Sequence, residues 1–190
     1  MIKLDVLVIG DFSLDADGGV TGAYSTSTLV RTGDMNIVVD ASAPSMVPAI
    51  AKSFKQIGIY PDEVDAVILT HAHADHIGNL SLYPNAEVYV HEAEEADSLK
   101  AKRICGDMKM CEGVRIVRTP GHTMGSVSVF VESDKRYAIA GDAVPRRRNF
   151  DDMIPPSICC DRAAALKSIK EISRYADVIV PGHDPPFATR

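Results

Sequence analysis

At 190 residues the chain has the length of one domain, 1–190, expected to bury roughly 70% of its unfolded surface and to form a full core without disulfide staples. A formal net charge of -6 with 24% charged residues argues against electrostatic binding of nucleic acid over the whole surface, leaving room only for a local basic patch. No apolar run approaches the ~18 residues of a membrane span, and acidic Asp5 and Asp11 flank the N-terminal apolar run, so neither a signal peptide nor a membrane partner is expected. The cysteines at 105, 111, 159 and 160 show no Cys-x-x-Cys spacing, and adjacent Cys159 and Cys160 cannot form an ordinary unstrained bridge. Reduced thiols and a cytoplasmic location follow as the expectation.

Residues 2–9 read as an opening strand, and 11–22, rich in Gly, Asp and Ser, as a loop placed to overhang a site. Residues 23–31 and 35–39 read as a hairpin turning at 32–34, with Asp40 just beyond it. Met46, Val47, Ile50, Phe54 and Ile57 have the spacing of one helical face over 45–57, and Gly58 ends that helix. Residues 64–69 form an apolar, β-branched run of buried-strand length, and 87–90 a short strand. Residues 92–102 read as a charged, exposed helix opened by His91, whose bland reading is a surface or first-turn histidine. Further strands are expected at 113–118, 126–132 and 136–140. A helix over 162–175 carries Ala165, Leu166, Ile169 and Ile172 on one face, and a last strand covers 177–180. Together these elements predict a mixed α/β domain with sheets packed together and helices outside.

The densest chemistry lies just past the strand over 64–69, where His71, His73, Asp75 and His76 put four metal-capable side chains within six residues. Alternating His71 and His73 can turn two imidazoles toward one metal, while Asp75 and His76 reach a second beside it. The competing reading makes them solvated loop residues, with His76 capping a helix that starts at Ile77. Three consecutive arginines, Arg146, Arg147 and Arg148, follow Asp142 closely. They are candidates for binding a substrate anion, because guanidinium pairs bidentately with phosphate or carboxylate; a solvated surface run is the alternative.

The stretch His71-Ala72-His73-Ala74-Asp75-His76 matches every fixed position of His-x-His-x-Asp-His, and in this the chain resembles the metallo-beta-lactamase-fold hydrolases. Three further ligands of that family have matches in the right order: His122 in Thr119-Pro120-Gly121-His122-Thr123, Asp142 in Ala140-Gly141-Asp142-Ala143, and His183 in Val180-Pro181-Gly182-His183-Asp184. The resemblance covers almost the whole chain and implies a four-layer αββα sandwich. It assigns His71, His73 and His122 to one metal, Asp75, His76 and His183 to the other, and Asp142 to a bridge between them. It also gives Asp40 a supporting role as a hydrogen-bond acceptor, where the residues alone fit an ordinary turn aspartate equally well.

A nitrogen-and-oxygen set without thiolate suits two Zn2+, with Fe or Mn as alternatives. Three protein ligands and a shared carboxylate leave room for water, which marks a catalytic rather than a structural site. The expected chemistry is attack by a metal-bridging hydroxide on a phosphodiester, thioester or lactone, with Asp75 as the catalytic residue that orients the nucleophile or passes a proton. The short metallo-beta-lactamase domain-containing protein 1 type shares the 180–187 ending and the 27–31 entry, and its association with nuclease activity tilts the expectation to a nuclease-like phosphodiesterase. The expected partner is therefore a small-molecule or nucleic-acid phosphodiester, with a homodimer as a possible assembly. Glyoxalase II-like thioesterases carry a helical C-terminal domain, whereas this chain runs seven residues past His183. The β-lactamases proper place cysteine where Asp142 stands. An iron-dependent persulfide dioxygenase is the competing enzyme class, and a non-catalytic metal-stabilised binding module is the third reading.

Overall fold

A computed structural model describes residues 1–15, 17 and 20–190. In chain order the strands are β1 (Lys3–Val8), β2 (Asp11–Leu14), β3 (Val20–Tyr24), β4 (Ser27–Arg31), β5 (Asn36–Val39), β6 (Ala66–Ile68), β7 (Glu87–His91) and β8 (Lys102–Ile104). They continue with β9 (Met108–Cys111), β10 (Val114–Arg118), β11 (Val127–Glu132), β12 (Arg136–Gly141), β13 (Val178–Pro181) and β14 (Phe187–Ala188). The helices are α1 (Val47–Ile57), α2 (Ala74–Ile77), α3 (Arg147–Asp151) and α4 (Arg162–Tyr175). One six-stranded sheet runs β1-β4-β5-β6-β7-β8 and a second runs β14-β13-β12-β11-β10-β9, while β2 and β3 pair as a separate ribbon.

Strand alternation sorts the apolar side chains into layers. On β5, Ile37 and Val39 face the second sheet with Val30, Ala66 and Ile68, and they meet Val127, Val129, Val131 and Ile139 across the interface. Val38, between them in sequence, points the other way, to Leu29, Val67, Leu69 and the α1 side chains Ile50 and Phe54. On the far side of the second sheet, Phe130, Ala138, Ala140 and Ile179 receive Ile169 and Ile172 of α4. Helix, sheet, sheet and helix thus stack in the four-layer αββα order. Phe54 is 2% exposed, so truncating it to alanine should cost about 3–5 kcal/mol. Gly58 closes α1 in the left-handed conformation (φ 81°), and the Asp161 carboxylate caps α4 by accepting from the Ala163 and Ala164 amides.

Three expectations are corrected. The stretch 11–22 is not a plain loop: β2 and β3 pair antiparallel, with Phe12 opposite Ala23. The helix expected over 92–102 does not form. Residues 92–99 make turns, and β8 then adds to the sheet parallel to β7, tertiary pairing overriding the local propensity of the charged residues. His91 accordingly ends β7 at 3% exposure instead of opening a surface helix. The short edge strands β9 and β14 carried too little pattern to be read. Among the described residues, no helix is long and apolar enough to cross a membrane.

Candidate metal centre

The candidate ligands gather where strands of both sheets end. His71 and His73 occupy the turn after β6, and Asp75 and His76 lie in α2. His122 follows β10, Asp142 follows β12 directly, and His183 follows β13 after Gly182. Glycine is required at two of these corners. A Cβ on Gly182 would lie 2.1 Å from Asp142 Oδ1, and one on Gly141, whose φ is +50°, would lie 2.4 Å from Thr70 Oγ1.

Two triads result. His71 Nε2 lies 3.0 Å from His73 Nδ1, and His122 Nε2 lies 3.2 Å from the first and 3.0 Å from the second. Asp75 Oδ2 lies 3.7 Å from His76 Nε2 and 3.5 Å from His183 Nε2. Asp142 spans them: its Oδ1 is 3.2 Å from His183 Nε2 and 3.5 Å from His76 Nε2, and its Oδ2 is 3.6 Å from His122 Nε2.

This arrangement fits divalent metal. Three imidazole nitrogens so close surround a point about 2 Å from each, the length of a zinc–imidazole bond. Their lone pairs cannot satisfy one another, because each N–H···N contact serves one acceptor and leaves the third nitrogen unpaired. In the other half, His76 Nε2 and Asp142 Oδ1 are buried without a hydrogen-bond partner, a costly state that a shared cation relieves.

The outward nitrogens are held so that the inward ones keep their lone pairs. Asp40 Oδ2 lies 2.8 Å from His76 Nδ1 and accepts the Thr70 hydroxyl at 2.7 Å, while its Oδ1 accepts the Thr70 amide at 2.8 Å. Thr70 Oγ1 in turn lies 3.1 Å from His71 Nδ1. The carbonyls of Ile158 and Tyr24 stand 2.7 and 3.1 Å from the Nδ1 atoms of His122 and His183. Since these partners can only accept, the proton is assigned to Nδ1 in His76, His122 and His183. Asp40 therefore fills the supporting role that the resemblance gave it. Its φ of +58° lies in the left-handed region, which aspartate tolerates better than most residues.

Burial, helped by the neighbouring His76, His122 and His73 imidazoles, drives His71 well below the ordinary histidine range. Burial with His122 and His76 also lowers His73. Both are therefore neutral and available as donors. For His76 burial acts in the same direction, but Asp40 and Asp142 outweigh it and raise the ring well above its usual value. Burial would raise Asp142, yet the His183 and His76 imidazoles beside it hold its carboxyl well below the usual carboxylate range.

A cavity of about 240 Å3 opens over the cluster. Its floor is His73, Asp75, His122, Asp142 and His183, and its walls are Phe12, Val20, Ala23, Pro145, Pro156 and Ile158. The overhang expected of 11–22 is supplied by this ribbon, with Phe12 edge-on to His183 at 5.2 Å between ring centroids. The arginine run divides. Arg146 lies over the Phe12 ring at 3.8 Å and donates to Asp11 Oδ1 and the Phe12 carbonyl at 3.0 and 2.8 Å. Arg147 and Arg148 are exposed, paired with Asp151 and Asp152 one helical turn on, and outside the cavity wall. Sequence reasoning missed Phe12, the Ile158 carbonyl and Glu94. Only Phe12, an aromatic in a stretch of small polar residues, left a signal.

Residues 20–103 match the family model described as the metallo-beta-lactamase superfamily. The chain is 36% identical over 150 residues to a probable metallo-hydrolase of Methanocaldococcus jannaschii, covering 78% of this chain and 70% of that one. It is 32% identical over 196 residues to metallo-beta-lactamase domain-containing protein 1 of Xenopus laevis, covering 97% and 81%. The N-acyl homoserine lactonase of Bacillus thuringiensis is 29% identical over 155 residues, 71% of this chain and 62% of the lactonase. A solved Thermotoga maritima structure assigned to the metallo-beta-lactamases superposes with a TM-score of 0.82 at 25% identity, covering 98% and 99%. An αββα sandwich with a histidine–aspartate cluster at its strand ends, shared with relatives named as a metallo-hydrolase and a lactonase, marks a metal-dependent hydrolase. The chain belongs to the metallo-beta-lactamase superfamily.

Proposed function

We propose that the chain hydrolyses small uncharged acyl esters, lactones foremost, at a two-ion centre. His71, His73 and His122 would hold one ion, Asp75, His76 and His183 the other, and Asp142 would bridge. The observation that carries the substrate class is the cavity wall, where Phe12, Val20, Ala23, Pro145, Pro156 and Ile158 offer an acyl group an apolar surface directly beside the cluster. The B. thuringiensis relative named for lactone hydrolysis supports the same reading. The donor set of imidazole and carboxylate suits Zn2+, with Fe or Mn as the alternatives.

When bound, such ions supply Lewis-acid polarisation of the ester carbonyl and lower the pKa of water toward ~7. The chain's own residues do the rest. Asp75 lines the cavity and presents a carboxylate that takes the proton of the attacking water and returns it to the leaving alkoxide, so the proton account closes within one side chain. Phe12 and Ile158 keep bulk water from the far side of the acyl group. Arg146 holds Phe12 in place, so Arg146→Ala should raise KM with kcat little changed, whereas Arg147→Ala and Arg148→Ala should leave both nearly unaltered.

A phosphodiesterase is the second reading, resting on the resemblance drawn from the sequence, and on that reading the exposed Arg147 and Arg148 would approach the substrate anion. A cytoplasmic setting accords with four cysteines that are all free. The deciding experiment is metal analysis of protein purified without added metal, followed by turnover of an acyl lactone, a thioester, bis-p-nitrophenyl phosphate and a persulfide. Lactone turnover well above the phosphodiester, with two metal equivalents, is expected. Preferred phosphodiester cleavage, or one iron with oxygen consumption on persulfide, would overturn the proposal.

A further inference from the structure

We infer that Glu94 is a positioning residue for the His71–His73–His122 triad, setting the distance between the two loops that carry those histidines. The inference rests on the reading that this triad holds a metal ion.

Glu94 lies in the turn after β7 and is 7% exposed. Its Oε2 accepts the amide of Ala72, the residue between His71 and His73, at 2.8 Å. Its Oε1 accepts the hydroxyl of Thr123, the residue after His122, at 2.5 Å. One carboxylate therefore ties the residue before His73 to the residue after His122, two ligands 49 positions apart in sequence. Hydrogen bonds to a carboxylate are about twice as strong as neutral ones, and a buried carboxylate is tolerated only when its oxygens are so partnered.

The clamp is itself braced. The Thr123 hydroxyl contacts Ser126 Oγ at 2.7 Å, and Ser126 Oγ accepts the Thr123 amide at 3.1 Å, closing the turn around His122. The Glu94 amide donates to the His91 carbonyl at 3.0 Å, and the Glu94 carbonyl accepts from Arg103 Nη1 at 3.0 Å, fixing the base of the side chain on β7 and β8. Gly125 lets the turn press against it, since a Cβ there would fall 2.5 Å from Glu94 Oε1. None of these contacts reaches Asp75, His76 or His183. That half is held instead by Asp40 and the Tyr24 carbonyl. Glu94 should therefore act on one metal position and spare the other.

The test is titration of metal-free protein with Co2+, following heat and visible absorption, for wild type, Glu94→Ala and Glu94→Gln. Two uptake steps are expected in wild type. Glu94→Ala should weaken one step at least about 10-fold, the scale of losing a group that orients metal ligands, and leave the other within twofold. Glu94→Gln should recover most of the loss, because its carbonyl still accepts from Ala72 and its amide can donate to Thr123. If Glu94→Ala does not fold, Thr123→Val removes one of the two ties and should show the same selective weakening. Equal weakening of both steps, or a lowered Tm of the metal-free protein with Co2+ affinities unchanged, would overturn the inference. A single uptake step in wild type would retire the two-ion reading instead. Glu94 is then judged on that step, which must be lost in His73→Ala and weakened in Glu94→Ala.

Discussion

Two buried carboxylates flank the metal centre, and they touch it in different ways. Asp40, 2% exposed, meets a ligand ring directly at His76 Nδ1 and reaches a second, His71, through the Thr70 hydroxyl. Glu94 meets no ligand ring; it holds an amide and a hydroxyl on the chain beside His73 and His122. Asp40 therefore governs the protonation and orientation of its rings, whereas Glu94 governs only where its loops stand. A carboxylate against an imidazole N–H also increases the donor strength of the opposite nitrogen, which a backbone clamp cannot do. The exposed His73 and the loop of His122 are thus braced by position, while the buried rings of His71 and His76 are held in position and charge through Asp40.

The largest effect should come from the residue the two sides share. Asp142→Ala removes the carboxylate that faces both triads, so kcat/KM for any hydrolysed ester should fall at least about 100-fold, with loss of metal measured by plasma emission. Retention of two metal equivalents with near-normal turnover would show that Asp142 does not span the halves. Next, Asp40→Asn keeps a residue suited to φ +58° but offers one acceptor oxygen where three donors converge. Both Co2+ uptake steps should weaken about 10- to 100-fold, in contrast to the single step affected by Glu94→Ala. A one-step effect would erase the distinction between the two carboxylates.

Metal removal probes the pair together at smaller amplitude. An ion present at 100 times its Kd stabilises by about 2.7 kcal/mol, so chelation should lower Tm by roughly 5 to 10 °C per site lost, read by calorimetry. An unchanged Tm would mean that the converging nitrogens need no cation. The smallest effect belongs to His91, a buried histidine near Glu94 whose Nδ1 accepts the Ala93 amide and whose ring reaches no candidate ligand. His91→Ala should leave metal content and kcat unchanged, and a loss comparable to that of Asp142→Ala would mean the ligand set had been drawn wrongly.

Much of this site was legible because its signals are local. His71, His73, Asp75 and His76 lie within six residues, and His122, Asp142 and His183 each follow an apolar run that reads as a strand by its alternation. The helices α1 and α4 were readable because 11- and 14-residue segments show the 3.6 period clearly. The β2–β3 ribbon was not, since its Gly, Asp and Ser residues read as loop and its pairing depends on contacts its own pattern does not encode. The stretch after β7 misled for the opposite reason. Its charged residues favour a helix when isolated, but parallel pairing of β8 with β7 and the inward turn of Glu94 are decided by the rest of the fold.

By itself the sequence determined the mixed α/β pattern and the residues that can hold metal, because these depend on residue type and on periods of two and 3.6, while the family and the αββα layer order followed from the resemblance that the ligand motif carries. Only the tertiary structure decided which groups orient them. The Ile158 carbonyl beside His122 carries no side-chain signature at all, and the division of Arg146 from Arg147 and Arg148 depends on which way a short helix faces. Glu94 is one of several glutamates in its stretch. It is singled out only by packing that brings Ala72 and Thr123 to its two oxygens, because hydrogen bonding acts through space and leaves no trace in sequence spacing.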